Sequence, residues 1–110
     1  MVVWPQPSFV RKNSLLHAAI DLGGSSGRVS VGELVDQKIV LTELHRFKHE
    51  PVATADGLFW DWQFILEQIK IGLHKAVDLG EVATVGVDSW AVDYALIDAK
   101  GEVLAPPHCY

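Results

Sequence analysis

The sequence has few of the residues that mark several classes of protein. Cys109 is the one cysteine among 110 residues, which excludes an internal disulfide bond. Nine lysine and arginine residues are outnumbered by fourteen aspartate and glutamate residues, and they form no basic block. Because the neutralisation of phosphates supplies most of the affinity of a nucleic-acid-binding protein, the net charge of −5 argues against nucleic acid as a partner.

Long apolar runs are lacking as well. No run approaches the roughly 20 residues that are needed to cross a bilayer, so we expect no membrane partner. The start of the chain, MVVWPQPSFVRKN, has its positive residues after the apolar ones and contains two prolines, unlike a secretory signal. The sequence thus predicts a cytoplasmic protein with an amino-terminal extension at residues 1–13 and a domain at residues 14–110.

The part of the chain after this extension begins with three predicted strands. Residues 14–22 form an apolar run that ends in glycines, as is typical of a strand buried on both faces. Residues 28–35 and 38–47 alternate between apolar and polar side chains, with Asp36 and Gln37 as a two-residue connection. Strands joined by such short turns must run antiparallel.

A helix and two further strands are predicted next. Residues 48–57 are interpreted as a loop, and Asp61 is placed to cap a helix whose apolar residues recur every three or four positions up to Gly80. Gly72 lies on the apolar side, where it would let the helix approach a sheet. Residues 82–92 are predicted as a strand parallel to the first, continuing to residue 99, and residues 102–105 as a last strand. The expected class is α/β in the order β-β-β-α-β-β, with one face of the sheet poorly covered.

The segment between the first two strands has the clearest chemistry. Its three glycines allow positive backbone φ angles and turn successive N–H groups toward one point, which forms an anion-binding nest. Two serine hydroxyls and a guanidinium add donors for a phosphate. Asp21 would repel phosphate unless a divalent cation such as Mg²⁺ lay between them. The predicted phosphate-binding residues are Gly23, Gly24, Ser25, Ser26, Gly27 and Arg28, with Asp21 as the metal-binding residue, acting through water.

The spacing alone leaves a plain hairpin with a solvated Arg28 as an equal alternative. A P-loop is excluded because no Lys-Ser/Thr pair follows the glycines, and a dinucleotide-binding fingerprint is disfavoured because a strand, and no helix, comes next. His45 and His49 are four residues apart, but in a strand that runs into a loop this spacing favours surface histidines. His17 is predicted to be buried, and Cys109 has no nearby base that would make it catalytic.

The stretch AIDLGGSSGRVSVGEL resembles the first phosphate motif of the FGGY carbohydrate kinases. The similarity continues through LTELHRFKHE, GLFWDWQFILEQIKIGLHKAV and VATVGVDSWAVDYALIDAKGEVL, and within the family it is greatest to the rhamnulokinase group. The resemblance implies a ribonuclease-H-like fold of the actin/Hsp70/hexokinase superfamily, here incomplete. It implies that ATP and Mg²⁺ bind over Asp21 and the glycine-rich turn.

The same resemblance implies a sugar substrate. The substrate residues would be Trp90, Ala91 and Asp93, and the γ-phosphoryl group of ATP would pass to a ketose, with L-rhamnulose giving L-rhamnulose 1-phosphate. Ala91 stands where rhamnulokinases commonly have a glycine that contacts the sugar, which changes the shape of that pocket. The residues alone leave two interpretations of Trp90, sugar stacking or core packing, and of Asp88, a cleft residue or ordinary strand-end polarity.

No catalytic residue is assigned in this chain, because the general base of the family is an aspartate far downstream of the matching region. We therefore expect a kinase fragment that has no turnover of its own and has the missing remainder of the kinase as its partner. The alternative from another class is a non-catalytic module with a nucleotide-binding fold, or a degenerate gene remnant.

Overall fold

The computed structural model describes Val2, Val3 and residues 14–110. The predicted α/β class is confirmed, since one helix packs on a mixed sheet of five strands. The elements in chain order are β1 (Val2–Val3), β2 (Leu15–Leu22), β3 (Ser26–Val35), β4 (Lys38–Lys48), β5 (Val52–Thr54), β6 (Gly57–Phe59), α1 (Trp62–Leu79) and β7 (Glu81–Asp88). The strands of the large sheet lie in the order β1-β4-β3-β2-β7.

The antiparallel meander predicted for the first half of the domain is present. β2 pairs with β3, and β3 pairs with β4, both in antiparallel register. Asp36 and Gln37 connect β3 to β4 with φ angles of 48° and 63°. Two consecutive positive φ angles match the twist of a hairpin, although aspartate and glutamine adopt them less readily than Asn-Gly does. β7 pairs with β2 in parallel, as the helical crossover requires.

Helix α1 begins and ends where the sequence predicts. The Asp61 carboxylate accepts a hydrogen bond of 3.1 Å from the backbone N–H of Phe64, and Gly80 follows the last helical residue. The close approach expected at Gly72 is also confirmed, because a Cβ atom there would lie 2.4 Å from the Cβ of Val29. The buried residues of the helix are Ile65, Ile69, Gly72 and Ala76.

The main core lies between α1 and the three central strands, where seven buried residues form one cluster. Its members are Ile20, Leu22, Val29, Phe47, Trp60, Ile65 and Ile69. α1 contacts β7 at Val82 but leaves the rest of the strand open, so Val85 and Val87 are 54% and 64% exposed beside the buried side chains of β2. Part of the face that carries α1 is therefore uncovered at the β7 edge of the sheet.

Three sequence predictions about the elements are wrong. Residues 48–57 are not simply a loop, because β5 and β6 form a small hairpin there. The strand predicted at residues 82–92 ends at Asp88. The continuation to residue 99 and the strand at 102–105 are absent, since a single bridge joins Ile97 to Val103 around the turn that begins at Asp98. No strand pairs with β7 on its outer side among the described residues, so this segment has no ladder to join.

One further expectation needs correction. His17 is exposed, and its Nδ1 lies 2.7 Å from the hydroxyl of Thr84 on β7. Of the extension at residues 1–13, Val2 and Val3 form β1 and pair in parallel with β4. The other residues of that extension lie outside the described residues. Within the part of the chain that the structure describes, no helix has the length and apolar character to cross a bilayer.

Candidate phosphate and sugar site

Asp21 and Arg28 face each other across the first hairpin. They are register partners on β2 and β3, and the guanidinium donates from Nη2 to the Asp21 carboxylate at 2.6 Å. Because they alternate with residues that face α1, both side chains lie on the opposite face of the sheet. The side chains of Asp21 and Arg28 are 49% and 38% exposed. An ion pair with that exposure contributes about 0–1 kcal/mol, so a ligand can redirect either group at small cost.

The turn between these strands, residues 23–26, differs from the predicted nest. Gly23 donates its N–H to the Ser26 carbonyl at 2.9 Å, and β3 already begins at Ser26. None of Gly23, Gly24 and Gly27 has a φ angle in the left-handed region. The sequence analysis predicted that these glycines use positive φ angles to turn their N–H groups toward one point. That prediction is wrong for this conformation.

The space around Gly27 and Gly24 differs. A Cβ atom on Gly27 would lie 2.3 Å from Cζ of Phe47, so Gly27 is required for the packing of that ring. A Cβ atom on Gly24 would have no heavy atom within 4 Å, and both Gly24 and Ser25 are exposed. The tip of the turn is thus open to a ligand, and a phosphate group could approach the backbone there.

Charged residues form a row across four strands beside the turn. Asp88 on β7 is the register partner of Asp21, and Arg46 on β4 is the register partner of Arg28. Cross-strand partners project from the same face, so two carboxylates are followed by two guanidinium groups. Neighbouring carboxylates repel each other, and a divalent cation would relieve that repulsion. Among the described residues no three acidic, histidine or cysteine side chains form a metal cluster. A cation at Asp21 would need phosphate and water as its other ligands.

Arg46 is already engaged in this row. It donates from Nε and Nη2 to the two carboxylate oxygens of Glu43, at 2.9 and 2.8 Å. These hydrogen bonds lower the pKa of Glu43 below its ordinary value, and the charges of Arg46 and Arg28 lower that pKa further. Glu43 takes two nitrogens of Arg46, Nε and Nη2, whereas Asp21 takes one nitrogen of Arg28, so Arg28 keeps more of its donors for a phosphate.

The predicted sugar residues lie next to the same turn. The ring of Trp90 stacks on that of Trp60, with centroids 4.2 Å apart and planes 10° apart. Trp90 donates from Nε1 to the Gly23 carbonyl at 3.1 Å, and Trp60 donates from Nε1 to the Asp93 carboxylate at 2.5 Å. Ala91, which follows Trp90 in the sequence, is exposed. Trp90 thus packs against the core, and Trp60 covers one face of its ring. A sugar could therefore stack only on the other face of Trp90.

A groove of about 360 Å³ adjoins the segment after β7. Asp93 is one of its lining residues, together with Val92, Tyr94 and Tyr110. A second groove, of about 470 Å³, lies beyond Trp60 and Trp62. Neither groove is lined by a residue of the turn at 23–26, so the space near Asp93 and the open tip of the turn are separate features.

His49 is part of this region, although the sequence analysis placed it on the surface. It is only 5% exposed, and its Nε2 lies 2.9 Å from the Gly23 carbonyl. Its ring meets the rings of Trp60 and Trp90 edge-on, with centroids 5.4 and 6.0 Å away. The alternation of β4, continued by one residue past its end, indicated this burial, because it places His45, Phe47 and His49 on the side that faces α1.

Comparisons with known proteins identify relatives of the chain. No family model matches the sequence. A rhamnulokinase of Bacillus subtilis is 46% identical over 91 residues, which is 82% of this chain and 19% of the relative. A rhamnulokinase of Mannheimia succiniciproducens is 41% identical over 84% of this chain and 20% of the relative, and one of Ligilactobacillus salivarius is 37% identical over 86% and 20%. The chain therefore spans about a fifth of the length of these curated relatives.

Proposed function

The chain belongs with the rhamnulokinases among the carbohydrate kinases, and from that premise we propose that it carries the phosphate-binding turn and part of the sugar site of an ATP-dependent sugar kinase. The observation that carries this proposal is the Asp21–Arg28 pair beside an open, glycine-lined turn tip. Phosphoryl transfer depends mainly on positioning and on the neutralisation of charge, and these residues supply both.

In this proposal the turn binds the phosphates of ATP. The exposed backbone of Gly24 and Ser25 lets phosphate oxygens approach, the Ser25 and Ser26 hydroxyls donate hydrogen bonds, and Arg28 turns from Asp21 to a phosphate. Asp21, once released, holds Mg²⁺ through water. The cation supplies neutralisation of the phosphate charge when it is bound. The adjacent Asp88 carboxylate favours a cation at this edge, because it adds negative charge beside Asp21.

The sugar site is proposed at the segment that follows β7. The Asp93 carboxylate is held by the Trp60 indole and lines a groove, where it can accept hydrogen bonds from sugar hydroxyls. Trp90 offers the ring face that Trp60 leaves uncovered, and Ala91 narrows the space that a glycine would leave. We propose L-rhamnulose as the ketose, phosphorylated to L-rhamnulose 1-phosphate, because the relatives are named rhamnulokinases.

Residues beyond this segment would complete the kinase. We propose that they supply the general base and the adenosine site, and that this segment alone has no turnover. The mixed sheet and the parallel pairing of β2 with β7 across α1 agree with the ribonuclease-H-like fold of sugar kinases, which we propose for the whole domain. A cytoplasmic location is part of the same proposal.

The test measures ADP release by the longest native chain that carries this segment, with ATP, Mg²⁺ and a panel of ketoses and aldoses. We expect ketose-dependent release, greatest with L-rhamnulose. ADP release with a different ketose alone would support the proposed kinase activity but change the proposed substrate. The methyl group of Ala91, which alters the shape of the pocket, allows that outcome. Binding of Mg-ATP without any phosphorylation would favour the alternative, a non-catalytic module with this fold.

A further inference from the structure

The carbonyl oxygen of Gly23 accepts hydrogen bonds from two side chains. His49 donates from Nε2 at 2.9 Å, and Trp90 donates from Nε1 at 3.1 Å. A carbonyl oxygen has two lone pairs, so this group is fully used. The two donors are far apart in sequence, since His49 directly follows β4 and Trp90 lies in the segment after β7. They meet at the first residue of the turn that the proposed function assigns to phosphate.

His49 also binds the turn through its backbone. Its N–H donates to the Ser25 carbonyl at 3.1 Å, so one residue contacts the turn at two carbonyl groups. The conformation of the turn does not come from left-handed glycines, because none of its glycines has a positive φ angle in that region. These contacts from outside add to the hydrogen bond from Gly23 to Ser26 in holding residues 23–25 in position.

One ring nitrogen of His49 makes no hydrogen bond to the described residues. Nδ1 is buried and has no hydrogen-bond partner among the described residues. A buried polar atom without a partner costs stability, and a leucine of similar size would avoid that cost. The presence of histidine is explained by what Nε2 does, which is to donate to the Gly23 carbonyl.

We propose that His49 and Trp90 are positioning residues that hold the phosphate-binding turn in place through the Gly23 carbonyl. The stack of Trp90 on Trp60, and the hydrogen bond from Trp60 to Asp93, join the same support to the proposed sugar residue. Neither His49 nor the Nε1 atom of Trp90 needs to touch ATP. The inference rests on the proposed function for the identity of the ligand, whereas the support of the turn stands on the contacts themselves.

The variants distinguish the effect of losing a hydrogen-bond donor to Gly23 from the effect of losing side-chain packing. His49→Leu removes the donor and keeps most of the volume, and His49→Gln keeps a donor at similar reach. Trp90→Phe keeps a ring against Trp60 and removes the indole N–H. His45→Leu is the matched control, because His45 bonds to Gln68 of α1 and does not contact the turn.

Two readouts are made on the longest native chain that carries this segment. The first is the NMR backbone order parameter of Gly24 and Ser25 without ligand, which reports the mobility of the turn. The second is the dissociation constant for Mg-ATP, with the KM for the sugar measured beside it. Loss of one neutral hydrogen bond predicts a dissociation constant raised about 3- to 10-fold in His49→Leu and Trp90→Phe.

The two donor-deleting variants should differ from the other two. The order parameters fall in His49→Leu and Trp90→Phe, Mg-ATP binding weakens in both, His49→Gln recovers both readouts, and His45→Leu changes neither. The KM for the sugar stays constant in His49→Leu. Unchanged order parameters in the two donor-deleting variants would overturn the inference. If these parameters fall and recover as expected but the wild-type protein binds no Mg-ATP, the positioning role stands and the proposed function fails.

Discussion

Gly27→Ala tests the assignment of a packing role to a glycine of the phosphate motif. The new Cβ atom would lie 2.3, 2.7 and 2.9 Å from three carbon atoms of the Phe47 ring. That ring is buried, and its neighbours include Phe64 at a centroid distance of 6.2 Å and His49 at 6.0 Å. Because the ring has little room to move, we expect the free energy of unfolding to fall by about 2 kcal/mol, within the usual range for overpacking.

Urea denaturation of the wild type and the variant measures this loss. Phe47→Leu reduces the ring and should relieve the clash, so the double variant Gly27→Ala/Phe47→Leu should lose less stability than the sum of the two single variants. Gly24→Ala is the matched control. Its methyl group enters open space, so we expect a stability change under about 0.5 kcal/mol.

The functional readout should separate the same two glycines. Gly24→Ala fills the space that the proposal gives to a phosphate, so its dissociation constant for Mg-ATP should rise about tenfold, equivalent to roughly 1.4 kcal/mol. A Gly27→Ala variant as stable as Gly24→Ala would refute the packing argument. Equal Mg-ATP affinity in Gly24→Ala and the wild type would refute the open-tip argument.

Three other changes test the fold and its pH dependence. Replacing Asp36-Gln37 by Asn-Gly should raise the free energy of unfolding by about 1 kcal/mol, because both positions have positive φ angles, and the midpoint of thermal unfolding measures it. Gly72→Ala should destabilise the fold by about 1–3 kcal/mol despite a better helix propensity, since its Cβ would overlap β3, as urea denaturation would show. The Arg46 hydrogen bonds lower the pKa of Glu43 below 4.5, so this carboxylate stabilises the fold above pH 4.5 and the effect is lost as pH falls through the lowered pKa. In Glu43→Gln, the free energy of unfolding should therefore depend less on pH below pH 4.5, and denaturation at several pH values measures this.

Local patterns predicted the elements that local physics determines. Asp61, Gly72 and Gly80 marked the start, the sheet contact and the end of α1. The two-residue connection between β3 and β4 gave their antiparallel pairing. The last predicted strands failed for a different reason. Residues 94–99 have the apolar content of a strand, but a strand needs a neighbour, and the described residues offer none beyond β7.

The sequence named candidate site residues but did not show the contacts that hold the turn beside them. Asp21 and Arg28 were visible as charges at strand ends, and the family resemblance drew attention to Trp90 and Asp93. The role of His49 depends on a contact with a residue 26 positions earlier, which no local pattern encodes. The glycines were assigned backbone freedom, whereas the structure assigns Gly27 a packing contact, because a sequence does not show which ring lies above a glycine.

The most direct test of the central claim is a calorimetric titration of Mg-ATP into the longest native chain that carries this segment. The claim is that Asp21 and the adjoining turn hold the phosphates and the cation. Asp21→Ala should abolish measurable binding, whereas Asp78→Ala, which removes an exposed carboxylate on α1 far from the turn in sequence, should bind as the wild type does. Equal Mg-ATP affinity in the wild type and Asp21→Ala would contradict the account.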